Sequence, residues 1–203
     1  MKVRLYVEGG PKGTNADGLR RFRNGFKQHF LKLDPRLSSL GVSPCGSTEE
    51  TIRDYARAVS EREPDCMVAM LVDSDAPVAT GTPAMHLQTK LDFAKIPAEA
   101  RESVFLMVQC MEAWLVVDVN ALEKCFGKKL KANALPPNPN IESVTKRDLL
   151  SAFANAIRDT PGAPYHKINH GAKILAELNP VIVGNRSGNA RSLHAFLKRS
   201  IQM

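Results

Sequence analysis

The sequence predicts an α/β protein, a parallel sheet flanked by helices with a helical subdomain towards its C-terminal end. Three observations carry that prediction. Cys66 to Val72 is a continuous apolar run without a charge, the pattern of a strand buried on both faces. Stretches with helical period lie on either side of it. The run then ends on Asp73-Ser74-Asp75, two carboxylates separated by one residue. In open α/β sheets ligands collect beyond the carboxyl ends of the strands, so acids placed there are candidates for chemistry.

The elements come in order along the chain. Lys2 to Glu8 alternates polar and apolar residues, is rich in β formers, and reads as the first strand. Glu8 ends it, because Gly9-Gly10-Pro11-Lys12-Gly13 cannot continue a strand. The loop is not a Walker loop, since its glycine and lysine spacing is wrong. From Asp17 the period turns helical, with Leu19, Phe22, Phe26, Phe30 and Leu33 on one face. A short strand is expected near Leu40-Gly41-Val42. Ser47-Thr48-Glu49-Glu50 has the form of a capping box and opens a helix to Glu63, which Pro64 closes. With the apolar run next, the rhythm is strand, helix, strand, helix, strand, that of a parallel sheet.

After Asp75, a loop with two prolines and a glycine precedes an expected helix from Ala84 to Phe93. Ser103 to Val108 reads as another strand. Glu112 then opens a helix running on through Val116, Val117 and Leu122. Gly127 to Asn140 carries three lysines, three prolines and no acid, the composition of an exposed loop or linker. Thr145 caps a helix with Leu149, Leu150, Phe153 and Ile157. Tyr165 to Gly171 leads into Ala172–Leu178, and a last helix covers Asn189 to Ile201. The expected division is an α/β core over 1–126 and a basic linker with a helical subdomain over 127–203, packed on the core.

Hydrophobic residues make up 43% and charged residues 24%, ordinary for a soluble globular protein. No stretch approaches the ~20 apolar residues of a bilayer span. The N-terminus runs straight into a strand pattern, so neither a signal peptide nor a membrane partner is expected. The four cysteines are widely spaced and match no zinc pattern, which points to reduced thiols and a cytoplasmic location. The net charge is +7 and uneven: residues 1–100 hold 14 Lys or Arg against 13 Asp or Glu, residues 101–203 hold 14 against 8. That asymmetry favours a polyanion such as nucleic acid. A merely solvated basic surface is the alternative.

Glu8, Asp73, Asp75 and Glu112 all fall at or just past expected strand ends, which share one edge of a parallel sheet. Acids so grouped need a cation, and hard oxygen ligands suit Mg2+ or Mn2+. Such an ion polarises a phosphodiester and acidifies a bound water. Lys167 or Lys173, from the basic part, could face the charge that develops on the phosphate. Blander readings stand beside these. Asp75 could start a turn or cap the next element, and Glu112 could be a favourable charge at a helix N-terminus. His166 and His170 are four apart but lack a third ligand, and read as surface residues.

Val7-Glu8-Gly9 after the first strand, with Asp73-Ser74-Asp75 after a later apolar strand, resembles the Toprim domain of topoisomerases, primases and overcoming-lysogenization-defect nucleases. The resemblance implies a Rossmann-like Toprim core over roughly residues 1–125. It implies Glu8 as acid/base or metal ligand and Asp73 and Asp75 as Mg2+ ligands. Over nearly the whole chain, these motifs together with Met111-Glu112-Ala113-Trp114-Leu115 and Tyr165-His166-Lys167 before Gly171 resemble a bacterial Toprim-like family of unknown function, the 4276 family. That resemblance implies an ATPase partner and a setting in phage defence. The chain departs from the pattern after Glu8, where Gly10-Pro11-Lys12-Gly13 stands in place of an early polar or acidic residue. The expectation is a metal-dependent nuclease acting on DNA or RNA. The alternative is a non-catalytic Toprim-like module that binds nucleic acid or a partner protein.

Overall fold

Four parallel strands form one sheet in the order β2-β1-β3-β4, from Lys2–Val7 (β1), Gly41–Pro44 (β2), Cys66–Asp73 (β3) and Val104–Met107 (β4). The computed structural model describes residues 2–10, 14–78, 81–90 and 92–202. Pro11, Lys12 and Gly13 of the glycine loop therefore lie outside the described residues, as do Ala79 and Thr80 of the loop after Asp75. The chain starts at β1, steps out to β2, then returns to the other side of β1 for β3 and β4. The direction of winding thus reverses between β1 and β3, which makes that pair the switch point of the sheet.

Side chains of β3 and β4 alternate between two cores, as the period of two demands. Val68, Met70, Val72, Val104 and Leu106 join one core with Ile52 and Tyr55. These last two come from the helix Thr48–Ser60 (α2), whose capping box between Ser47 and Glu50 forms as expected. Ala69, Leu71, Phe105 and Met107 join the other core with Phe22, Phe26 and Phe30 of the helix Ala16–Leu33 (α1). That second core also takes in the helices of the last third of the chain. The sheet is therefore covered on both faces, and every residue of β3 but Met67 is buried.

Several expectations along the chain are corrected. The helix expected over 84–93 is confined to Pro83–Leu87 (α3), where Leu87 is the one buried residue. Asp92 has φ +65°, a left-handed conformation that cannot continue a helix; Leu91 lies outside the described residues. The helix opened by Glu112 breaks into Glu112–Leu115 (α4) and Val119–Phe126 (α5). The break is Asp118, which is buried and has two duties. Its Oδ1 accepts from the Ala121 N–H at 3.1 Å to cap α5, and its Oδ2 accepts from the Asn179 N–H at 2.8 Å. The lysine- and proline-rich stretch after Gly127 is pinned, because Leu130, Leu135 and Ile141 are buried in the main core.

The last third consists of Lys146–Ile157 (α6), a π-helical turn over Lys167–Gly171, Ala172–Glu177 (α7), Pro180–Arg186 (α8) and Gly188–Ser200 (α9). The sequence reading lacks α8, although Asn179 before Pro180 is a cap followed by a proline in the first turn. α7 packs closely on α1, where a Cβ on Gly25 would come 2.5 Å from the Ala172 carbonyl oxygen. Only glycine permits that approach. His29 of α1 and His194 of α9 meet in the same core with their Nε2 atoms 3.2 Å apart. Burial lowers the pKa of both, His29 well below the ordinary range and His194 to about 4, so both stay neutral at physiological pH. His166 and His170 serve locally: the Nδ1 of His166 accepts from Asn169, and the Nδ1 of His170 accepts from His166. Among the described residues, no helix is long and apolar enough to cross a membrane.

Asp118 is the joint between α5 and the turn into α8. Asp118→Ala strands two backbone N–H groups, and we expect a loss of about 2–3 kcal/mol. Urea denaturation should show a lower midpoint at unchanged slope, and Asp118→Asn should retain part of the loss.

Candidate functional site

The carboxyl end of β1 sets the first acid in place. Gly9 and Gly46 exchange backbone hydrogen bonds at 2.9 Å in both directions, and Gly9 has φ +138° with Phe22 beneath it, so a side chain there has no room. Glu8 is thereby turned towards the switch point. Its Oε2 accepts from the Thr48 hydroxyl at 2.8 Å and from the Asp73 backbone N–H at 3.0 Å. The second bond ties the end of β1 to the end of β3. Burial raises the Glu8 pKa, with Thr48 and the Asp73 N–H pulling the other way.

Asp73 continues the Ala69–Leu71 alternation and so faces the core shared by α1 and the C-terminal helices. It is 3% exposed. Its Oδ2 accepts from Lys167 Nζ at 3.2 Å, while its Oδ1 is buried without a hydrogen-bond partner. Burial first, then the negative charges of Glu8 and Glu112, push its carboxyl up to about 7, against the opposing pull of Lys167. Burial disfavours the charge on Lys167, but Asp73, Glu112 and Glu8 outweigh it and hold the ammonium charged. One lysine thus faces three acids.

Glu112, at the start of α4, is also buried, and its Oε1 accepts from the Tyr165 hydroxyl at 3.0 Å. Burial and the adjacent Glu112 charge hold the Tyr165 phenol protonated far above the ordinary range. Beyond β3 the main chain keeps pairing, from the Ser74 N–H to Met107 and from the Asp75 N–H to Gln109. Asp75 has φ +58°, which aspartate tolerates, and its Oδ1 accepts from Lys146 Nζ at 2.7 Å. The Gln109 side chain in turn accepts from the Lys146 N–H at 3.0 Å.

Of the residues expected at the site, Glu8, Asp73, Glu112 and Lys167 share one cluster, and Asp75 lies on its rim. Lys173 stands apart, exposed, with its charge acting on Cys125, His170 and Glu177. The sequence reading assigns no role to Thr48, Gln109, Tyr165 or Lys146. Lys146 does have a sequence signal. A lysine in the first turn of a helix opposes the helix dipole, which makes sense when an anion lies opposite.

A divalent ion can be tested against this donor set. The acids supply hard oxygens, one oxygen of each of Glu8, Asp73 and Glu112 is held by a protein donor, and the second oxygen of Asp73 is buried and unbonded. Among the described residues, no three His, Cys, Asp or Glu side chains are grouped to hold an ion unaided. Mg2+ commonly takes one or two carboxylates and completes its shell with water and substrate phosphate. The residues fit an ion of that kind.

A family model described as a domain of unknown function, DUF4276, matches residues 19–198. The chain belongs to the DUF4276 family. No curated protein and no solved structure matches it. The DUF4276 match takes in Asp73, Asp75, Glu112, Lys146, Tyr165 and Lys167, and begins after Glu8.

A carboxyl raised from 3.8 to about 7 keeps its proton in the folded state over that window, whereas the unfolded chain has lost it. The contribution of Asp73 to stability therefore falls as pH rises from 3.8 to 7, by on the order of 3–4 kcal/mol. Asp73→Asn should raise the melting temperature of the metal-free protein above pH 7, with the gain shrinking as pH falls towards 3.8. Mn2+ should stabilise the wild type most above pH 7 and leave Asp73→Asn unchanged. Differential scanning calorimetry across that range checks both.

Proposed function

We propose that the chain is a Mg2+- or Mn2+-dependent phosphodiesterase acting on nucleic acid, centred on the switch point between β1 and β3. The observation that carries this reading is the cluster of Glu8, Asp73 and Glu112 around Lys167, with one oxygen of Asp73 buried and unbonded. The segments that resemble Toprim nucleases, Val7-Glu8-Gly9 and Asp73-Ser74-Asp75, fall at the same point, which supports it. The excess of basic residues in 101–203 supports an anionic polymer as substrate. The four free cysteines suit a reducing compartment, in line with a cytoplasmic enzyme. An ATPase partner and a setting in phage defence rest on the family resemblance alone.

In this reading Asp73 and Asp75 hold a divalent ion, with Glu8 or Glu112 beside them, and the bound ion supplies Lewis-acid chemistry to the phosphate and its water. Glu8 serves as general base. Two fixed donors set its orientation, and burial makes it a better proton acceptor than an exposed glutamate. Lys167 meets the charge that develops on the phosphate. Tyr165 holds Glu112 in place.

A second reading has a specific observation behind it. Asp73 and Asp75 already carry ammonium partners in Lys167 and Lys146, as they would in a metal-free module that only binds.

Cleavage assays on labelled DNA and RNA separate the two. Glu8→Gln should cut the rate by ~100- to 10,000-fold with Mn2+ affinity nearly intact. Asp73→Asn should lower both rate and affinity. Equal loss of metal in the two variants makes Glu8 a ligand instead of the base. Absence of cleavage by the wild type with Mg2+ or Mn2+, alone and with a companion ATPase, leaves the binding module as the function.

A further inference from the structure

Beside the acid cluster runs a groove that the chemistry above does not use. It has a volume of ≈ 560 Å³, and its walls include Leu150, Phe153, Ile157, Pro164, Tyr165 and Arg158. Lys146, Leu150, Ala154 and Arg158 recur at every fourth residue of α6 and its C-cap, so they lie along one face of the helix. At 1.5 Å per residue, that face runs about 18 Å from Lys146 to Arg158. Lys146 stands at the site end, bonded to Asp75. At the far end Lys131 pairs with Asp159, and the charges of Arg158 and Lys129 bear on the same carboxylate. Three cations thus surround one acid there.

Between the two basic ends the surface is apolar. Leu150 is 39% exposed, a large aliphatic side chain open to solvent. Phe153 is buried and backs the half-buried Tyr165 ring, the two ring centres 4.9 Å apart. Tyr165 belongs to both places, because its ring lines the groove while its hydroxyl donates to Glu112. The groove is therefore continuous with the acid cluster through one side chain.

We infer that this groove takes an unpaired nucleotide of a single-stranded nucleic acid, its base against Leu150 and the ring of Tyr165, its flanking phosphates on Lys146 and Arg158. The chemistry selects that ligand. An apolar wall that carries the half-buried Tyr165 ring offers a base a face to lie on, and cations at both ends match a backbone entering and leaving. A duplex keeps its base faces stacked inside and presents mainly phosphates, so it gains nothing from the apolar middle. The volume lies in the range of small-ligand pockets, far below the size of a duplex. The inference deepens the proposed function, from which it takes nucleic acid as the ligand.

The test measures binding apart from cleavage. Fluorescence anisotropy in EDTA compares a short oligothymidylate, an oligouridylate and a blunt hairpin duplex of equal phosphate count. At least one single strand should bind about tenfold or more tighter than the hairpin. Leu150→Glu and Arg158→Glu should each weaken single-strand binding roughly tenfold, and Arg158→Glu should reduce the salt slope by about one. Neither should alter Mn2+-dependent hydrolysis of bis(p-nitrophenyl) phosphate. Equal affinity for hairpin and single strands, or single-strand binding untouched by both substitutions, overturns the inference. So does a change of oligomeric state in Leu150→Glu with oligonucleotide affinity unchanged, which assigns the groove to a second copy of the chain. Wild-type protein that binds single strands through these residues but hydrolyses no phosphodiester keeps the groove and discards the nuclease.

Discussion

Carboxylates at the ends of buried strands have to find positive charge elsewhere in the chain, and the ion pair between Asp73 and Lys167 is where that requirement is met. Taking a carboxylate out of water costs several kcal/mol, and a single paired ammonium returns only part of it. Here the lysine is shared among three acids, which is why Asp73 remains hard to ionise while Lys167 remains charged. The centre therefore holds more carboxylate than ammonium.

Meeting that requirement shapes the fold. Lys167 reaches Asp73 because its π-helical turn continues into α7, and α7 is pressed against α1 at Gly25. Asp118 fixes the same assembly from the other side by bonding the chain at Asn179. On the far rim, Gln109 beyond β4 holds the first residue of α6, so that Lys146 meets Asp75. The helical third is thus a wall of the site, sharing one core with the sheet.

The sequence made the sheet legible because buried strands have strong signatures: an unbroken apolar run for β3, alternation for β1, a capping box ahead of α2. The acids were legible for the same reason, since each stands where a strand signature stops. Their partners were harder to read. Thr48 looks like any first-turn residue of a helix, and Gln109 like any polar residue after a strand. Choosing Lys167 over Lys173 needed the π-helical turn, which leaves one lysine at the cluster and the other in solvent. The breaks in the helical pattern at Asp118 and Asp92 were invisible to periodicity, because each depends on a single residue's bonds or backbone angle.

The distance along the chain between Asp73 and Lys167, 94 positions, has a consequence for how the protein comes into being. A ribosome adding 5–20 residues per second takes roughly 5–20 s to cover that interval. Glu112 is added partway through that interval and α6 late in it, while the lysine comes last. The order of the sequence leaves Asp73 without its ammonium until the π-helical turn has been made.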